Sequence, residues 1–253
     1  MIGFAAFAQK EILEIVRTWR VWVLPGILLF FALTGPIMAR FTLEIIHALA
    51  SEQLGNFTLP DPSYVDAYTG WIKNLSQTAL FALIIVYGSI VSSERRSGTA
   101  ILVLTKPVSR GSFILAKATV HSAFLAVLVV IGTAVTWGLT AVVFEEAPGP
   151  ALWSAALAWL AFGILFIALM TLLSVLIAPA AGAAGAGLGA YALISIASLW
   201  TPLGRWSPAG LTTIPTSLAL GEPVDAFWPV CTALLLAAAL FALAAAAFQR
   251  NEL

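Results

Sequence analysis

Six long apolar runs constrain this chain more than any other feature: Trp22–Ala39, Leu75–Val91, Thr119–Phe144, Leu152–Ala178, Gly182–Trp200 and Phe227–Phe248. None contains Asp, Glu, Lys or Arg, and the one histidine, His121, lies near the end of its run. A helix needs about 20 apolar residues to cross the ~30 Å hydrocarbon core of a bilayer. The expectation is therefore an all-α membrane protein with six spans. Composition agrees: 61% of residues are hydrophobic and 9% charged, whereas about 25% are charged in soluble domains.

The segments between the runs set the orientation. The start, MIGFAAFAQKEILEIVRTWR (residues 1–20), reads as an amphipathic helix in the interface plane. It has Ile12, Ile15, Val16 and Trp19 on one side and Lys10, Glu14 and Arg17 on another. Basic residues gather there, between Arg95 and Lys117, and at Arg250, while the intervening segments carry Glu44, Glu52, Asp61, Asp66, Glu145, Glu146, Glu222 and Asp225. Cytoplasmic loops are enriched in Lys and Arg, so both termini and the segment 93–117 are expected in the cytoplasm, with the protein in the plasma (inner) membrane. Arg40–Asn74 becomes a long external loop. Residues 201–226, with four prolines among apolar residues, become broken or re-entrant pieces carrying short external helices before the last span. Trp19, Trp22, Trp71, Trp153, Trp200 and Trp228 fall near span ends, as interfacial rings do. In the Ala/Gly-rich stretch 178–192, Gly185 and Gly189 are four apart, as are Gly182 and Ala186. That spacing suits a close helix contact, within the chain or between two copies.

Catalytic chemistry is not evident. There is no nucleophile elbow, no metal-spaced His/Cys/Asp/Glu set and no phosphate-binding loop of the G-x-x-x-x-G-K-[ST] type. Glu145 and Glu146 read as solvated loop charges, His47 as an exposed loop residue, His121 as packed at the inner interface, and the single Cys231 as a small buried hydrophobe. The zero net charge gives no reason to expect nucleic acid. Spans so poor in acids and bases argue against ion-coupled transport. A chain of this kind, with no energy source of its own, needs a partner.

The segment ERRSGTAILVLTKPVSRGSFILAK (94–117) supplies the place for one. Ser97 or Thr99 can cap a short helix, which must end by Lys106 because Pro107 disfavours the α conformation before it. Ile101, Leu102 and Leu104 then form an apolar patch rimmed by Arg95, Arg96, Lys106 and Arg110. The residues alone fit either a docking knob or a basic loop resting on lipid headgroups.

The segment resembles the cytoplasmic loop after the second span of ABC-2 type permease subunits, through Glu94, Gly98, Thr99, Leu102, Pro107, Ser109, Arg110 and Lys117. WSPAGL (206–211) resembles the Ser-Pro turn before that family's last span, and the order of elements agrees along nearly the whole chain. The resemblance implies a single transmembrane domain over 1–253 that works as a pair of permease copies, identical or closely related. Two separate nucleotide-binding ATPase subunits would bind ATP and Mg²⁺, so the chain itself would hold no cofactor and do no catalysis. It further implies that 93–117 is the coupling element, that spans two and five line the path, and that transport is outward. The other class that fits six spans is a membrane-embedded enzyme or structural protein.

Overall fold

The computed structural model describes residues 2–18, 20–54, 60–96 and 110–250. Most of the described residues are helical, with no strand among them, and six helices are long and apolar enough to cross a membrane.

Helix α1 (Ile2–Arg17) precedes α2 (Arg20–Leu54), the first span. α2 continues through Pro25 and Pro36, which membrane helices tolerate because neighbouring groups take up the freed carbonyls. At 1.5 Å per residue its 35 residues reach about 52 Å, well beyond the hydrocarbon. This corrects the expectation of a long loop over Arg40–Asn74: the helix runs on through Phe41, Leu43 and Ile45. The next helix, α3 (Tyr64–Asn74), starts soon after Pro62. Its start is fixed by the Ser63 N–H donating to the Asp66 carboxylate at 2.8 Å while the Asp66 N–H donates to the Ser63 carbonyl.

The second span is thus longer than its apolar run. It comprises α3, a wide π turn (Leu75–Ala79), α4 (Leu80–Tyr87), a turn over 88–91 and the short α5 (Ser92–Arg96). The third span, α6 (Arg110–Phe144), also begins earlier than Thr119, so Lys117 belongs to a helix and not to a loop. It is followed by α7 (Gly149–Leu176), with Pro150 in its first turn, and α8 (Ala180–Ala197). Residues 201–226 fold as the short helix α9 (Thr201–Trp206), a 3₁₀ turn (Pro208–Thr212) and α10 (Ile214–Ala219), ahead of the last span α11 (Phe227–Arg250). The WSPAGL turn is tight. A Cβ on Gly210 would stand 2.0 Å from the Gly204 carbonyl oxygen, so only glycine lets the two segments cross. α10 packs on α3 and α7, which sets this Pro-rich piece into the bundle.

Spans two and four form the middle: 61% and 67% of their most apolar windows are buried, against 22%, 11% and 17% for spans one, five and six. Trp71 lies in this core and not at a border; its Nε1 donates to Thr133 Oγ1 at 3.2 Å and its ring covers Gly132. Trp22, Trp200 and Trp228 are exposed. Trp19 lies outside the described residues. α1, the end of span two, the start of span three and the end of span six meet at one end of the bundle, where Phe248 stacks on Phe113 at 5.3 Å and Phe7 meets it edge-on. At the opposite end Arg40, Asp61 and Glu145 line one cleft of ≈ 380 Å³.

Candidate functional site

At the first of these ends, two helices meet through matching four-residue rows. On α1, Phe7, Glu11 and Ile15 are spaced i, i+4, i+8, and so are Phe113, Lys117 and His121 on α6. Residues four apart share a helix face, and here all six are buried. Lys10, Glu11 and Glu14 are therefore turned toward the bundle, while Ile12, Leu13, Val16 and Arg17 are exposed.

The contact is an ion network. Lys117 Nζ donates to both carboxylate oxygens of Glu11, at 3.0 and 2.9 Å, and to Glu94 Oε1. Lys10 Nζ reaches Glu11 at 3.0 Å and both Glu14 and Glu94 at 2.6 Å. His121 Nε2 lies 3.4 Å from Glu11 Oε2, and its Nδ1 is 3.1 Å from the Tyr87 hydroxyl. The Phe113 ring lies under both ammonium groups, 5.0 Å from Lys117 Nζ and 5.8 Å from Lys10 Nζ. Burial alone would push the carboxyls of Glu11 and Glu14 up. For Glu11 this is outweighed by His121, Lys117 and Lys10, and for Glu14 by Lys117 and Lys10, so both are held below the usual carboxylate range. Burial would likewise lower Lys10, but Glu11, Glu94 and Glu14 raise it above its ordinary value. All three stay ionised near neutral pH.

Carboxylate oxygens of Glu11, Glu14 and Glu94 lie within 4.8 Å of one another, a spacing that could hold a cation. Lys10 and Lys117 already supply the positive charge there. The cluster can hold parts together; its chemistry is that of a clamp. Its members come from α1, both ends of the 97–109 segment (Glu94 on α5, Lys117 on α6) and the interior of span two (Tyr87).

The sequence profile of the ABC-2 family transporter proteins matches residues 5–215, from the start of α1 into α10. The chain belongs to that family. It is therefore a permease component of an ABC transporter and a multi-pass membrane protein, of a family whose permeases work with ABC ATPase subunits. It is also similar to a transmembrane protein of Bacillus subtilis (strain 168), YxlG, with 28% identity over 257 residues, covering 98% of this chain and 97% of that one.

In this ABC-2 permease, the positions expected to touch an ATPase divide into two groups. Gly98, Thr99, Ile101, Leu102, Leu104, Lys106 and Pro107 lie outside the described residues. Arg95, Arg96 and Arg110 lie on the helices that flank them. Glu94 is turned inward, 5% exposed, so any part it takes in coupling passes through the ion network. Of the small residues on α8, a Cβ on Gly185 or Gly189 would meet nothing within 4 Å, and one on Gly182 would touch only Ile177 and Pro179 just before the helix. The contact inside the chain is made instead by Ala183 and Gly187. A Cβ on Gly187 would stand 2.5 Å from Met170 Sδ and 3.1 Å from Ile84 Cγ2. Glu11, the centre of the cluster, drew no attention in the sequence. Its i, i+4 relation to Phe7 and Ile15 was the available signal.

Proposed function

We propose that the chain is the permease subunit of an ATP-driven exporter. Two copies form the translocation path, and a separate nucleotide-binding subunit, which holds ATP and Mg²⁺, docks on residues 97–109. The supporting observation is the clamp at the two roots of that segment. Glu94 and Lys117 pair with each other and both bind α1, so a push on the segment reaches span two, span three and α1 together. In this arrangement Ile101, Leu102 and Leu104 enter a cleft on the ATPase, with the basic residues at its rim. The clamp end faces the cytoplasm, and with it both termini, in the plasma membrane. Spans two and five touch through Phe81 and Tyr191, ring centroids 5.6 Å apart. Along residues 75–91 of span two and along span five, such a path offers apolar surface without Asp, Glu, Lys or Arg, which suits amphipathic or lipidic cargo.

The test is co-expression with the cognate ATPase. Buried apolar anchors carry most of an interface's energy, often over ~2 kcal/mol each, so Leu102→Asp should abolish co-purification while the membrane domain still folds. Wild-type yield of the complex with Leu102→Asp, together with intact transport, overturns the docking assignment.

A further inference from the structure

Span two is interrupted three residues before Glu94, and a side chain of span four closes the gap. Over 88–91 the helical ladder tightens: the Gly88 N–H donates to the Ile85 carbonyl at 3.3 Å and the Ile90 N–H to the Tyr87 carbonyl at 3.1 Å. The N–H groups of Val91 and Ser92 both donate instead to Ser174 Oγ, each at 3.0 Å. Val91, Ser92 and Ser174 are buried. Backbone donors left without a partner at such a place are costly, so one hydroxyl is what keeps the gap closed. Ser174 lies two residues from the end of α7. The other side of the gap rests on the next helix, since a Cβ on Gly88 would stand 2.9 Å from the Ala180 carbonyl oxygen. The foot of span two is thus seated on the corner between spans four and five.

We infer that Ser174 is a positioning residue for coupling. It fixes the angle between α5, which carries Glu94, and α4, which packs on spans four and five. Motion arriving through the clamp then moves span two as a unit; without the hydroxyl it is absorbed at 88–91. The coupling role rests on the permease reading above, but the latch itself does not.

Two measurements separate them. Amide hydrogen exchange on the permease alone in lipid nanodiscs reads the latch. Ser174→Ala should speed exchange in the peptide carrying Val91 and Ser92 by about tenfold or more, and Ser174→Thr, which keeps an acceptor, should restore it. Transport per ATP hydrolysed by the reconstituted complex reads the coupling. It should fall by about threefold or more in Ser174→Ala and recover in Ser174→Thr, whereas simple loss of folded protein lowers transport and hydrolysis together and leaves the ratio unchanged. If Ser174→Ala yields no folded protein, Gly88→Ala loosens the same gap from the Ala180 side and is read identically. Unchanged exchange in the folded variant overturns the latch. Faster exchange with an unchanged ratio overturns the positioning role and leaves the permease reading intact. A wild-type complex that shows no ATP-driven transport overturns the permease reading and the coupling role with it, while the exchange result still decides the latch.

Discussion

Glu11 is the residue on which the docking of α1 turns, because it accepts from Lys117 with both oxygens and also meets Lys10 and His121. Removing one partner of a buried ion pair commonly costs about 3–5 kcal/mol, since the other charge stays behind. Glu11→Gln and Lys117→Met should each destabilise by that order. The double variant should cost clearly less than their sum, as coupled neighbours do; additive losses in denaturant unfolding would rule out the direct pair. The pH dependence has a definite sign. Glu11 is held below its ordinary value of 4.5, so its contribution is fully present above that value and is lost as pH falls through the depressed one. Lys10 is held above 10.5, so its contribution is present below that value and is lost only as pH rises past it. Wild type should therefore exceed Glu11→Gln in thermal stability at neutral pH. That margin should shrink in acid well below 4.5, and a margin that grows in acid would contradict the assignment.

Helix α8 shows how sequence spacing finds an element and misses its face. Ala183 and Gly187 repeat four apart on the side that meets Met170 and Ile84, nearly opposite the Gly185–Gly189 row that the sequence made conspicuous. A helix rich in small residues carries several such rows, and only the neighbouring side chains select one. Gly187→Leu should cost about 1–3 kcal/mol by overpacking and lower the melting temperature. Gly185→Leu, with open space at its Cβ, should leave it unchanged in the isolated chain; the reverse ranking would mean that the packed row is misassigned. The six spans were legible because hydrophobic length alone decides a crossing. Span ends were less so: helices continue past the apolar run wherever a capping residue such as Ser63, or a partner such as Glu11 for Lys117, satisfies the polar groups. The ion cluster was hidden for the same reason. Its members lie on four separate segments, and charges that look solvated along the chain neutralise one another only once α1 folds back on α6.

At the scale of the molecule, charge and packing assign different jobs to different surfaces. Lys10, Arg17, Arg20, Arg95, Arg96, Lys106, Arg110, Lys117 and Arg250 belong to α1, its junction with α2, the two sides of the 97–109 segment, that segment itself and the end of α11. Arg40, Lys73 and Arg205 belong to the opposite end. With a single cysteine in a Cys231→Ser background, an impermeant thiol reagent should label position 146 in intact cells and spare position 109 until the membrane is opened, because basic segments stay cytoplasmic. The reverse pattern would invert the orientation. Spans one, five and six are the least buried, so their outward sides meet either lipid or another copy of the chain. Span five differs from an ordinary lipid-facing helix in having open glycines four apart. Its outer row contains Gly185 and Gly189, where no Cβ covers the backbone, and helices in a bilayer associate most readily where small residues let backbones approach closely. A second copy that docks there would lie beside spans two and five, the pair assigned to the path. Combining Gly185→Leu with Gly189→Leu should then convert two copies per particle to one in native mass spectrometry, with the melting temperature of the single chain unchanged. Two copies retained in the double variant would place the subunit contact elsewhere, and a lowered melting temperature would show that the glycines act inside the chain.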